Sequence, residues 1–332
     1  MNYSMKKENG KYHKNFHCAE LNNCSDGDRI FDMFLLTDIR YCSNERGVKW
    51  LNVRLEDKTG TIYAKIWSEN IKMEYEGMRG QIVYVSGNVS FYGGRPDFSI
   101  EQMKAADEDA IEISEIIKVL PDIRRDQCKK QIKVLLSNIT SETLKKFAEY
   151  FLNDNALEEM AVFPVRTSGH HCYRGGLMEH ICEVTTASYY YAKTTSPLRE
   201  IPYNMDLVIA GALLHDMGSL ICFQKDGYTF FVNDEDRLLG TGYMVNKALG
   251  EAKEKTGLDD ATFGHLLHII EATHGNVSPV TMEAMLLRSQ NKLSAELETY
   301  EKVCMTAEEV KGPEGFIYSR ELKREIWRKS NE

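Results

Sequence analysis

"VKWLNVRLEDKTGTIYAKIW", residues 48–67, alternates apolar and polar side chains on both sides of the turn sequence DKTG (57–60). Period-two alternation marks a half-buried strand, so the stretch predicts two short strands joined by a turn. The pattern recurs in "QIVYVSGNVS" (81–90) and "PDFSIEQM" (96–103). Turn signals separate the runs: NERG (44–47), EGMRG (76–80) and YGGRP (92–96).

Five such strands between Arg29 and about Met103, with glycine-containing turns, suit a small closed or nearly closed barrel. The OB-fold is the commonest ligand-binding example. The barrel is expected over 29–105, after a flexible N-terminal segment, 1–28. Its strands carry Trp50, Tyr63, Trp67, Tyr84, Phe91, Tyr92 and Phe98, interleaved with Arg54, Lys65 and Arg95. Flat rings beside cations are what a single-stranded nucleic acid requires, since bases stack and phosphates meet Lys and Arg. Strands favour aromatics in any case, and part of this set fills the interior. Phe91 and Tyr92, beside the Gly-Gly turn, are the best candidates for exposed stacking, with Arg95 and Trp67 completing the candidate surface.

After "AADEDA" (105–110), within an expected linker over 106–112, the period becomes helical. Segments such as "MDLVIAGALLHDMG" (205–218), "DATFGHLLHIIEATHG" (260–275) and "TMEAMLLRSQNKLSAELETYEKV" (281–303) are amphipathic or apolar and bounded by Gly, Pro or capping residues. The second domain, 113–332, therefore reads as an all-α bundle, and the fold class is multidomain α and β. The tail "GFIYSRELKREIWRKSNE" (315–332) has Phe316, Ile317, Leu322, Ile326 and Trp327 at helix-compatible spacings. It is expected to be a C-terminal helix, with Lys323, Arg324, Arg328 and Lys329 as a minor nucleic-acid contact.

A length of 332 residues favours two domains. The formal net charge of −9 argues against a general polyanion-binding surface. Through Lys104 the chain carries 15 Lys+Arg against 14 Asp+Glu, and 26 against 36 beyond it, so the acidity belongs to the second part. No spanning apolar stretch and no secretory signal are legible, which makes a cytoplasmic location the expectation. The eight cysteines lack C-x-x-C spacing and read as reduced thiols in small apolar positions.

Seven of the nine histidines (His170, His171, His180, His215, His265, His268 and His274) fall in the middle of the helical part. "HHCYRGGLMEH" (170–180), "LLHDMG" (213–218), "HIIEATHG" (268–275) and a long last helix together resemble the HD-domain metal-dependent phosphohydrolases. The preceding barrel segment is similar to the OB domain of the YhaM-type 3′-to-5′ exoribonucleases. The resemblance covers roughly residues 29–300, in the same order and spacing.

The resemblance implies a divalent cation, Mn²⁺, Mg²⁺ or an iron-class ion, that promotes phosphodiester hydrolysis. His180 matches the first ligand, and His215 with Asp216 matches the His-Asp pair. His274 and His268 match later histidines. His170 and His171 would contact a phosphate or donate a proton beside the catalytic Asp216. The chain departs from the family pattern at five positions: Asn291 stands at an aspartate ligand position, Ser294 at the next acidic one, Thr241 and Thr273 where histidines are common, and Ser219 where a lysine follows the His-Asp pair. An amide oxygen can ligate, but it lacks the charge of a carboxylate.

Three functions follow as expectations: a 3′-to-5′ exonuclease on single-stranded RNA or DNA, a binding or regulatory module that kept the fold and lost catalysis, or a nucleotide phosphohydrolase. The resemblance makes an assembly of several copies plausible, and no membrane partner is expected.

Overall fold

The computed structural model describes residues 2–309 and 315–328. The chain opens with β1 (Asn2–Ser4) and a hairpin of β2 (Lys6–Glu8) and β3 (Lys11–His13). The barrel strands follow: β4 (Arg29–Ser43), β5 (Lys49–Asp57), β6 (Gly60–Trp67), β7 (Ile82–Tyr92) and β8 (Arg95–Ala105). Strand order is β4-β5-β6-β8-β7, and β7 returns to β4 to close the sheet. All pairings among these five are antiparallel except β6 with β8. That order, with its one parallel pair, is a five-stranded Greek-key barrel of the OB type.

Closure depends on β4, which serves two edges: Arg29–Leu35 pairs with β7, and Leu35–Ser43 pairs with β5. The register shifts between Leu36 and Asp38, a bulge that bends the strand from one neighbour to the other. The alternation of the 48–67 stretch is realised in full. Leu51, Val53, Leu55, Ile62, Ala64 and Ile66 fill the interior, while Asn52, Arg54 and Tyr63 face out.

The segment 1–28 is a correction to the flexible expectation. β1 pairs parallel with β4, and Phe16 is fully buried in the barrel core. Lys14 is buried with it. Its Nζ lies 3.3 Å from Asp57 Oδ2 and 4.0 Å from Asp32 Oδ1, and it stands over the Phe34 ring. The two carboxylates also hold the segment by its backbone: Asp32 accepts from the N–H groups of Asn15 and Phe16, and Asp57 from that of Cys18. A polar segment is fixed because its charges meet partners out of water.

The expected linker is likewise a packed seam. Ile111 and Ile116 are buried with Met33 and Ile82, the Lys58 N–H donates to Ile116 O, and Glu115 accepts from His13 and from the Lys14 N–H.

The helical unit comprises α1 (Asp122–Ser137), α2 (Glu142–Phe151), α3 (Asp154–Met160), α4 (Gly176–Thr195), α5 (Met205–Leu214) and α6 (Gly218–Cys222). A hairpin of β9 (Phe223–Asp226) and β10 (Thr229–Val232) follows, then α7 (Asp234–Leu239), α8 (Thr241–Thr256), α9 (Asp260–Thr273) and α10 (Met282–Glu309). Ser141, Asn153, Asn204, Asn233 and Asp259 cap their helices by accepting from backbone N–H groups. The most apolar stretch, Met205–Cys222, is 78% buried: α5 is the central helix, packed by α4, α9 and α10, and its side chains form the core. All eight cysteines are free thiols.

The β9–β10 hairpin touches the barrel through its two-residue turn. The Tyr228 N–H donates to Gly80 O at 2.6 Å. Gly227 has φ 58°, and a Cβ there would lie 2.2 Å from Gly80 O, so only glycine permits the approach. The tail also differs from expectation: it forms β11 (Gly315–Ser319) paired antiparallel with β12 (Arg324–Arg328). Phe316 opposes Trp327 and Ile317 opposes Ile326, cross-strand pairs that a helix would have separated. Arg324 pairs with Glu296 of α10, and Lys329 lies outside the described residues.

Candidate metal centre

α5 ends at His215, and the chain turns through Asp216 and Met217 before α6 begins. Both side chains are buried, at 2% and 8% exposure. The backbone carbonyls at the end of α5 favour positive charge beside them. His215 Nδ1 donates to Ala212 O at 2.8 Å, which leaves Nε2 to face inward.

His180, fully buried on α4, meets the pair. Its Nε2 lies 3.2 Å from His215 Nε2, 3.2 Å from Asp216 Oδ2 and 2.9 Å from Asn291 Oδ1 of α10. His215 Nε2 is 3.3 Å from the same Asp216 oxygen. His180, His215 and Asp216 thus place one ligand atom each within a single coordination sphere, with the Asn291 amide beside them.

The electrostatics agree with that geometry. Burial alone would lower the His215 pKa, but the Asp216 carboxylate overrides it and the pKa is raised. Burial alone would raise that of Asp216, yet His215 and His180 hold it well below the carboxylate range. The cluster attracts positive charge. Two imidazole nitrogens, a carboxylate oxygen and an amide oxygen form a mixed N/O donor set of the kind that holds a metal ion.

His170 and His171 stand on the loop before α4. His171 is 2% exposed with φ 49°, and its ring centroid is 4.8 Å from that of His180; for His170 the distance is 5.1 Å. Their Nδ1 atoms are 3.3 Å apart. Burial, then the nearby His180, pushes the pKa of His170 down to about 4 and that of His171 to about 2, so both are neutral at pH 7. With His180 they form a second group of clustered ligand atoms.

The later histidines do not join the cluster in the same way. His274 stacks on His215 but commits Nε2 to His215 O at 2.7 Å, with Asp216 Oδ1 at 3.7 Å. His268 accepts from the Val280 N–H and belongs to the α9–α10 connection. The three departures near the pair are also tied elsewhere. Ser219 donates to Val165 O, Thr273 to Ile269 O and Thr241 to Asp236 Oδ2.

Ser294, which the resemblance sets at an acidic position, lies 3.0 Å from His180 Nδ1, and Glu183, which the sequence reading did not assign, lies 2.7 Å from Ser294 Oγ. The sequence signal for Glu183 is spacing. Glu183 follows His180 by three on α4, and Ser294 follows Asn291 by three on α10, so each pair shares a helix face.

On the barrel, Tyr92 is 88% exposed and Phe91 38%, at the β7–β8 turn where Arg95 opposes Tyr92. Trp67 is half-buried on the outer face, 6.1 Å from Trp50, and donates to Ser99 Oγ. Tyr63, Arg54 and Asn52 continue that face, whereas Phe98 is buried in the core and Tyr84 packs edge-on against Tyr12.

No protein-family model matches the chain. Among solved structures it is similar to a replication protein A heterotrimer bound to single-stranded DNA, at 15% identity over 31% of this chain and 73% of that one, with a TM-score of 0.20. It is also similar to the second OB-fold domain of replication protein A from Methanococcus maripaludis, at 18% identity over 32% and 97%, with a TM-score of 0.19. The barrel assignment rests on strand order and closure rather than on these likenesses.

Proposed function

We propose that the chain is a metal-dependent phosphohydrolase that shortens single-stranded nucleic acid, RNA first, from the 3′ end. The observation that carries this reading is the convergence of His180 Nε2, His215 Nε2, Asp216 Oδ2 and Asn291 Oδ1 in a buried site. A divalent cation bound there would polarise a phosphoryl oxygen and lower the pKa of water. Asp216 supplies the negative charge, and His180 and His215 supply ring nitrogens. His170 and His171, neutral and adjacent, are placed to hydrogen-bond a phosphate or move a proton. The outer face of β5 and β6, with the β7–β8 turn, is the surface that OB barrels offer to a strand.

A second reading has its own observation. Ser219, Thr241 and Thr273 are all bonded away from the centre, so none of the three adds a ligand or a cation to it. In that reading the chain binds single strands without cutting them.

Incubation of 5′-labelled single-stranded RNA with the protein and Mn²⁺ separates the two. Stepwise shortening that is lost in His215→Ala, with the circular-dichroism spectrum unchanged, is the expected result. RNA retained on the protein but left intact would favour the binding module, and phosphate released from nucleotides alone would sink both.

A further inference from the structure

We infer that Arg166 and Arg288 bind the phosphates of a single strand as it enters the helical centre, one from the loop before α4 and one from α10. The inference deepens the phosphohydrolase reading and rests on it for the place of the centre, not for turnover. His180 and His215 are buried, whereas His170 and Asn291 are partly exposed and the His274 side chain is 26% exposed. A substrate therefore reaches the buried atoms past those three residues, and the arginines stand beside them.

Arg166 belongs to a loop that two hydrogen bonds hold against the centre. The Val165 N–H donates to His171 O at 3.1 Å, and Val165 O accepts from Ser219 Oγ of α6 at 2.7 Å. The residue before Arg166 is thus tied to both the His170–His171 loop and the helix that follows the His-Asp pair. Burial and then His180 lower the His170 pKa most, and the charge of Arg166 lowers it further, so the guanidinium is within electrostatic reach of that ring. Arg288 lies one turn before Asn291 on α10. Its Nη2 is 3.8 Å from the point where a Cβ on Gly275, the neighbour of His274, would stand.

Other cations nearby are already held by carboxylates. Lys118 pairs with Glu298, Arg124 with Glu179 and Lys292 with Glu296. Among the described residues, Arg166 and Arg288 have no such partner, and both are exposed. The chain beyond Lys104 carries 26 Lys+Arg against 36 Asp+Glu, so the helical part as a whole repels a polyanion and needs local positive charge at its centre. A guanidinium supplies that charge together with a fork of donors that matches two phosphate oxygens.

The test reads the contacts through the salt dependence of binding. Fluorescence anisotropy follows a 5′-labelled single-stranded RNA whose 3′-terminal linkages are phosphorothioates, which keep the charge and resist cutting, at fixed low Mn²⁺ and rising NaCl. Arg166→Gln and Arg288→Gln are each expected to weaken binding by about tenfold and to reduce the steepness of log K against log [NaCl] by about 0.7, the value of one phosphate contact on a single strand. Arg166→Lys and Arg288→Lys, which keep the charge, should hold the wild-type slope. Arg237→Gln, which removes a cation paired with Asp234 on α7, should leave binding unchanged. Unchanged slopes in the two glutamine variants, or an equal fall in the lysine variants or in Arg237→Gln, would overturn the inference. A wild type that leaves unmodified RNA intact yet shows both slope changes would count against hydrolysis and support the phosphate contacts.

Discussion

At the scale of single residues, the centre holds one carboxylate, Asp216, beside one amide, Asn291. Asn291 presents an amide where a carboxylate would add a full negative charge, and it lies 2.9 Å from His180 Nε2. Because affinity for divalent ions rises with ligand charge, Asn291→Asp is expected to tighten Mn²⁺ binding by about tenfold or more, ~1.4 kcal/mol. Isothermal titration calorimetry checks this, and an unchanged affinity would remove Asn291 from the ligand set. That His180 lies beside His215 and Asp216 was legible through the resemblance of their motifs, which groups residues that helical period alone leaves apart. Glu183 was not assigned, since its meeting with Ser294 joins positions 111 apart. The spacing of His268 and His274 suggested ligands, but the turn after α9 commits one to Val280 and the other to a carbonyl.

Elements follow the same division between pattern and context. The barrel strands were readable from alternation, and the helices from period and caps, because each is set by local residues. The N-terminal segment was not, because its polarity concealed a buried charge. Lys14 is held by Asp32 and Asp57 inside the barrel. Replacing it with methionine leaves two carboxylates unneutralised out of water, a change that costs about 3–5 kcal/mol. Urea unfolding of Lys14→Met, followed by tryptophan fluorescence, should therefore show the barrel transition at clearly lower denaturant. A midpoint equal to that of wild type would mean that the segment contributes nothing to the barrel. The C-terminal tail erred in the opposite direction. Its apolar spacing satisfied a helix, but Phe316, Ile317, Ile326 and Trp327 are strand-favouring residues that pair across a turn. The β9–β10 hairpin, which turns at Gly227–Tyr228, was not read from the sequence, where it lies among helical segments.

For the whole molecule, the proposed activity requires a fixed relation between the barrel, where a strand would be held, and the helical centre, where it would be cut. Linker residues Ile111 and Ile116 are buried against Met33 and Ile82 of the barrel, and the β9–β10 turn meets the same surface, with Tyr228 packed on that cluster and its N–H donating to Gly80 O. Gly227→Ala puts a Cβ 2.2 Å from Gly80 O, at a backbone angle unfavourable to alanine, so the turn must withdraw and draw Tyr228 away from the cluster around Ile111 and Ile116. Under the proposed activity, this variant is expected to hydrolyse a small substrate such as bis(p-nitrophenyl) phosphate in Mn²⁺ at the wild-type rate, because no ligand has moved. Stepwise shortening of a long single-stranded RNA should slow by about tenfold, since misplacement of substrate far from the chemistry carries a penalty of at least that order. Parallel assays of the two substrates check the prediction. An equal fall in both would show that the turn supports the centre itself, and no fall in either would show that the seam alone sets the relation of barrel to bundle.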